Sequence, residues 1–241
     1  MPLRVVINQS NYLPWKGYFD LIHDADLFIF YDDLQFTKND WRNRNKLKTS
    51  RGSEWLTIPV GKHLSRLICE VTLPVDDWAQ KHWYFIEQHY ERTPHFGTYA
   101  PLLRSAFIER QWTNLSELNQ HLIVLIARDI LGIKTQFADS RTYTLSERKQ
   151  GRVLELLHAV GATTYISGPA AKAYIEESRF SDAGIELVWK DYGGYPEYPQ
   201  LHPPFDHAVS VLDLIFNTGP EAAHYIWSWR ESVAHPRPTS V

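Results

Sequence analysis

The stretch NQSNYLPWKGYFDLIHDADLFIFYDDLQFTKNDWRNRNK, residues 8–46, decides the fold. It takes over from an apolar run, Leu3 and Val5-Val6-Ile7, whose β-branched residues between polar neighbours predict a buried strand over 3–8. The chain then turns through Asn11-Tyr12-Leu13-Pro14, and proline is tolerated in a first helical turn because its missing N–H has no partner there. Trp15, Tyr18, Phe19, Leu21 and Ile22 supply one apolar face of a helix. A second run, Leu27-Phe28-Ile29-Phe30-Tyr31, is a strand that stops at Asp32-Asp33. A helix between two apolar strands implies a parallel pair joined by a right-handed crossover. Such a unit belongs to an α/β protein with a mostly parallel, Rossmann-like sheet, whose ligands lie outside the carboxyl ends of the strands.

Beyond this unit, strands are predicted over 55–60 and 67–73, paired as a hairpin around 61–66. Asp76 or Asp77 caps a helix to about 92, and helices follow over 101–110 and 114–131. Asn114 and Glu117 have the spacing of a capping box. The α/β pattern resumes at 134, with a strand over 135–138 and a helix over 147–160 capped by Ser146. A strand over 163–166, a helix over 170–178 and a strand over 185–189 follow. A proline- and glycine-rich loop covers 192–207, and helices are predicted over 210–217 and 220–233. The expectation is one domain over 1–233 with a helical insertion at 76–131, both halves feeding one sheet, and a disordered tail at 234–241.

The totals exclude several classes. A net charge of -3 over 241 residues argues against a generally basic nucleic-acid binder, though not against a local basic patch. The single Cys69 rules out an internal disulfide and a cysteine-rich zinc site, and it fits a strand position better than a nucleophile. The amino terminus turns polar too early for a signal peptide, and no apolar run reaches the ~20 residues of a membrane span. The expectation is a cytoplasmic protein with no membrane partner. No His pair has metal-ligand spacing, so no metal site is expected, and no motif names a cofactor. Nine Trp and thirteen Tyr are many for this length; a core built from large side chains accounts for them, and the rim of a groove is the alternative.

The candidate site residues fall in strand-end loops. In the first, Gln9, Asn11, Tyr12, Trp15 and Lys16 surround a strand-to-helix turn, where backbone N–H groups and the helix dipole favour an anion. Gly17 would let a ligand approach the helix closely. Asp33 is the candidate catalytic base or amine anchor, with Gln35 close behind it. In an extended 42–45 segment Arg42 and Arg44 share one face and Asn43 and Asn45 the other. Their guanidinium groups suit a bidentate grip on phosphate or carboxylate. Ser167, Gly168 and Lys172 form a second strand-to-helix anion site, with Lys172 a second candidate catalytic group. Tyr198 and Gln200 sit in a rigid loop fit to wall the site.

These same residues carry a resemblance. Residues 9–19 (QSNYLPWKGYF), Asp32-Asp33-Leu34-Gln35-Phe36, Arg42-Asn43-Arg44-Asn45, Tyr165-Ile166-Ser167-Gly168-Pro169, Tyr198-Pro199-Gln200 and residues 210–219 (SVLDLIFNTG) resemble the WbqC family in order along nearly the whole chain. Ser10 departs from it, standing where the family's opening has proline. The resemblance implies a place in O-antigen, polysaccharide or specialised-metabolite assembly. The expected activity is transfer of an acyl or aminoacyl group to an amine, such as a nucleotide-linked amino sugar, with an anionic small molecule as partner. A weaker resemblance links the first stretch and the 167–174 segment to HIGH-type nucleotidyltransferases such as pantothenate synthetase. It implies an ATP-dependent adenylate-forming ligase as alternative, yet the signature histidines are absent and Leu13-Pro14-Trp15-Lys16-Gly17 stand in their place. A third possibility is a non-catalytic nucleotide- or RNA-binding module, its bases stacked on exposed aromatics.

Overall fold

The computed structural model describes residues 2–63 and 65–230, so the predicted tail at 234–241 and the end of the last predicted helix lie outside the described residues. In chain order the elements are β1 (Arg4–Asn8), α1 (Lys16–His23), β2 (Leu27–Phe30), β3 (Arg44–Thr49), β4 (Gly52–Thr57), α2 (Trp78–Tyr90), α3 (Phe96–Ile108) and α4 (Leu115–Leu125). They continue with β5 (Gln136–Asp139), α5 (Lys149–Ala159), β6 (Thr164–Ser167), α6 (Ser178–Asp182), β7 (Glu186–Trp189) and α7 (Val211–Thr218). Among the described residues β5-β2-β1-β6-β7 form one parallel sheet in that order, and β3 and β4 form a separate antiparallel hairpin. The register sets Val5, Val6 and Ile7 beside Leu27, Phe28 and Ile29.

The strands are apolar on both faces because both faces are covered. Val6, Phe28, Phe30 and Ile166 enter a core shared with α1, the α2–α4 helices and α7. Val5, Ile7, Ile29, Tyr31 and Tyr165 enter a second core under Leu156 and Leu157 of α5 and Phe180 of α6. The result is a three-layer α/β arrangement of Rossmann-like type, as the 8–46 stretch predicts. From β1 the chain steps outward to β2 and β5, then returns to the other side of β1 for β6 and β7. The switch point therefore lies between β1 and β6, where an open parallel sheet leaves a crevice at its carboxyl edge.

Several local expectations are corrected. The hairpin is 44–57, not 55–73, and its two-residue turn at Ser50-Arg51 leads into Gly52 with a positive φ. Segment 67–73 holds a 3-10 turn at Ile68–Glu70 in place of a strand, while Ile68, Val71 and Leu73 still fill the core. Helix α3 starts at Phe96, so Pro101 is interior. Ser146 does not cap α5: its N–H and Oγ donate to Glu155, each at 2.9 Å, and the helix begins at Lys149. The predicted 170–178 helix is a 3-10 turn at Pro169–Ala173, and 220–225 lies in the 3-10 segment Gly219–Tyr225. Asn114 caps α4 as expected, accepting from the Glu117 N–H at 3.1 Å.

Candidate functional site

Over the carboxyl ends of β1, β2 and β6 opens a cleft of about 950 Å³. Its floor is made by Asn8 and Gln9 from β1, Tyr31 after β2 and Tyr165 of β6. One wall is the segment leading into α5 and the first turn of that helix, with Glu147 and Arg148 before it and Lys149 and Arg152 within it; the other carries Tyr174, Glu176 and Arg179. No side chain caps α5 and its first turn holds no acidic residue, so its free N–H groups and the dipole favour an anion. Arg152 forms an ion pair with Asp33 and lies over the Tyr31 ring at 5.3 Å. Arg148, Lys149 and Arg179 line the cleft without a carboxylate within ion-pair distance among the described residues. Burial pushes the Tyr165 phenol up to about 12, so it stays a neutral hydrogen-bonding group.

Lys149 has φ 51°, the left-handed region that costs a non-glycine residue about 1–2 kcal/mol. Strained backbone clusters at binding sites, and this one sits on the cleft wall. Lys149→Gly is expected to raise thermal stability by about 0.5–1 kcal/mol, the strain relief less the entropy of glycine, while weakening anion binding. Differential scanning fluorimetry with and without pyrophosphate separates the two effects.

The sequence-selected residues divide among several places. Gln9 lines the cleft, and Arg42 donates to its Oε1 and, at 3.0 Å, to Asn11 Oδ1. One guanidinium thus holds two amide oxygens and leaves each NH2 group as the donor. Asn11, Trp15 and Asn45 line a separate smaller cavity. Asp33 stands behind Arg152 and also accepts from Ser140 Oγ at 2.6 Å. Arg44 stacks 4.0 Å over Trp55, whereas Arg42 bonds the two amides. Ser167 ends β6 and Gly168 follows it, and Lys172 is not on the cleft lining but lies 5.5 Å over Trp189. Gln35 is exposed and bridges to Leu67.

Others face the core. Tyr12 is fully buried, its OH paired with His82 Nδ1 at 2.8 Å. Asn43 donates to the Ile58 carbonyl at 3.0 Å, and Asn45 to those of Tyr12 and Leu13 at 3.2 and 2.8 Å. The asparagines do face opposite to the arginines, but inward, where they pin the first loop. Asp32 is buried, accepting from the Ser10 N–H at 2.7 Å and from Ser116 and Gln120. A proline at position 10 would lack that donor. Tyr198 and Gln200 both donate to Asp213, at 2.8 and 2.9 Å. Gly17 makes room for the Trp15 indole, which a Cβ would meet at 2.3 Å; it opens no path for a ligand.

Lys16 is also inside, donating to the Pro196 carbonyl at 3.3 Å with its ammonium 4.9 and 5.2 Å from the Tyr195 and Tyr198 rings. Burial pulls it down from 10.5 to about 8, with Asp20 opposing part of the fall. Between those values the unfolded chain binds more protons than the native one, so stability rises with pH from 8 toward 10. Above 10 the trend reverses, because Tyr12, Tyr90 and Tyr198 are held well above that value and ionise only on unfolding. Urea midpoints across pH 7–10 are expected to show the rise in the native chain and to lose it in Lys16→Met.

The α5 wall is absent from the residues selected on sequence. Its signal was present: residues 148–152 (RKQGR) place three cations in five residues at the start of a helix that follows a strand. Among the described residues no group of three or more His, Cys, Asp or Glu is placed to hold a metal ion, and no helix is long and apolar enough to cross a membrane.

A parallel sheet with helices on both faces and a cation-lined cleft at its switch point defines an α/β protein of Rossmann-like type. Residues 9–225 match the WbqC-like protein family, and the chain belongs to it. It is 46% identical over 225 residues to the uncharacterized protein Rv1507c of Mycobacterium tuberculosis, with 92% of this chain and 97% of that protein aligned. No solved structure matches the chain.

Proposed function

We propose that this protein is a cytoplasmic enzyme of polysaccharide, O-antigen or specialised-metabolite assembly, transferring an acyl or aminoacyl group to the amine of a nucleotide-linked amino sugar. The observation that carries this reading is the set of cations without ion-pair partners, Arg148, Lys149 and Arg179, in the switch-point cleft. They suit the phosphate groups of an anionic substrate. Glu147 and Glu176 line the same cleft and suit an ammonium group or the proton it gives up. Gln9 orients the substrate through its NH2 group, and Asp33 acts by aligning Arg152.

The test is direct. The purified protein is incubated with amino-sugar nucleotides and acyl or aminoacyl donors, and the products are read by mass spectrometry. An N-acylated sugar nucleotide, absent with Arg148→Ala/Arg179→Ala, is expected; no acylated product across the panel rejects the reading. The sheet order and the position of the cleft favour a second reading, an ATP-dependent ligase. Pyrophosphate release from ATP with a candidate acid distinguishes it.

A further inference from the structure

Beside the cleft, the first loop closes a smaller cavity of about 260 Å³, bounded by Asn11, Pro14, Trp15, Trp41, Asn45 and Ala208. We propose that it is a second binding site, separate from the anion cleft, for the ring of a neutral N-acylated sugar. It is a binding assignment and does not depend on the transfer reading.

The walls are aromatic and fixed. Trp15 folds over Gly17 and meets the edges of Tyr192 and Tyr195 at centroid distances of 5.3 and 6.0 Å. Trp41 is 42% exposed and lies 5.6 Å from Trp55, tilted by 37°. A pyranose has one face of C–H groups, which packs on an indole, and a rim of oxygens that needs a few placed polar partners. Apolar walls with few polar groups are how small-molecule sites combine affinity with orientation.

The polar groups narrow the ligand. Asn45 is spent, its Nδ2 on two carbonyls and its Oδ1 on the Lys46 N–H at 2.8 Å. Asn11 Oδ1 is taken by Arg42, which leaves only the NH2 group to give. Asparagine reads a nucleobase edge with donor and acceptor together, and the Asn11 oxygen is already engaged by Arg42. An acyl carbonyl or a hydroxyl oxygen asks only for a donor. No charged residue lines the cavity; of the nearby cations, Arg42 is engaged by the Asn11 and Gln9 oxygens, and Arg44 and Lys46 stack on Trp55 at 4.0 and 5.2 Å. The volume falls below the ~300 Å³ at which drug-sized sites begin, enough for one ring and too little for a nucleotide.

Saturation-transfer NMR on the full chain with N-acetylglucosamine, glucosamine and AMP tests the assignment. N-acetylglucosamine is expected to bind, glucosamine more weakly because its amine is only a donor, and AMP not to compete. Trp41→Ala should weaken binding by about tenfold or more, the loss of one good contact. Ala208→Trp, at an exposed position, should abolish it by filling the cavity, which decides the matter should Trp41→Ala fail to fold. Pyrophosphate binding to the cleft should be unchanged in both variants. Absence of saturable sugar binding, binding that survives Ala208→Trp, or displacement of the sugar by AMP overturns the proposal.

Discussion

Asp20→Ala is expected to lower the free energy of unfolding by about 3–5 kcal/mol, the usual cost of breaking a buried ion pair from one side. Asp20 sits on α1 with no exposed surface. Its carboxylate meets Lys190 at 2.9 Å, accepts from the Tyr195 hydroxyl, and takes two bonds from Arg230 at 3.1 and 2.9 Å. Lys190 is itself buried and would keep only Asp24, at 2.6 Å, as a carboxylate partner. Removing the central anion leaves the buried Lys190 with half of its carboxylate contacts and the half-buried Arg230 with none among the described residues, which costs more than the intact pair contributed. Three segments, α1, the start of the 192–207 loop and the chain near 230, are tied at this one carboxylate. Asp20→Asn should lose less, since the shape remains. Urea unfolding followed by tryptophan fluorescence measures both; a loss under about 1 kcal/mol for the alanine variant would show that the network carries little.

How far the fold could be read depended on what fills the inward positions. The β1-α1-β2 unit was legible because its strands are continuous apolar runs, as strands buried on both faces must be. The β3-β4 hairpin was not. In β3 the inward positions are Asn45, Leu47 and Thr49, so the usual alternation of apolar and polar residues is hidden by an asparagine that satisfies backbone carbonyls of a distant loop. Segment 67–73 misled in the opposite direction: Ile68, Val71 and Leu73 are buried, but around a 3-10 turn. The start of α5 was misplaced because Ser146 has the chemistry of a cap, while in three dimensions Glu155 engages it from within the helix. That shift turned Arg148 and Lys149 from helix surface into cleft wall. For the candidate site, the amides Gln9 and Asn11 were legible as polar groups on the first loop and Arg42 as a cation on the 42–45 segment. That Arg42 binds both of them could be known only from their positions.

The double variant Arg148→Ala/Arg179→Ala is expected to lower the affinity of the cleft for pyrophosphate or a nucleoside diphosphate by about 100-fold or more. Each charge-assisted hydrogen bond to a phosphate oxygen contributes about 1.5–3 kcal/mol, and tenfold in affinity corresponds to about 1.4 kcal/mol. The same variant should leave the unfolding free energy within about 0.5 kcal/mol, because among the described residues neither arginine lies within ion-pair distance of a carboxylate. Arg152→Ala behaves differently. It strips Asp33 of its partner in a half-buried place and should cost stability as well as affinity. The comparison separates a cation held ready for a ligand from one already used by the protein. Isothermal titration at low salt reads the affinities, and repetition at higher salt should shrink the difference, since these side chains are exposed and screened. Wild-type affinity in the double variant would place the anion elsewhere. A thermal shift as large as that of Arg152→Ala would mean that Arg148 and Arg179 serve the fold, and the cleft would lose the feature on which its function rests.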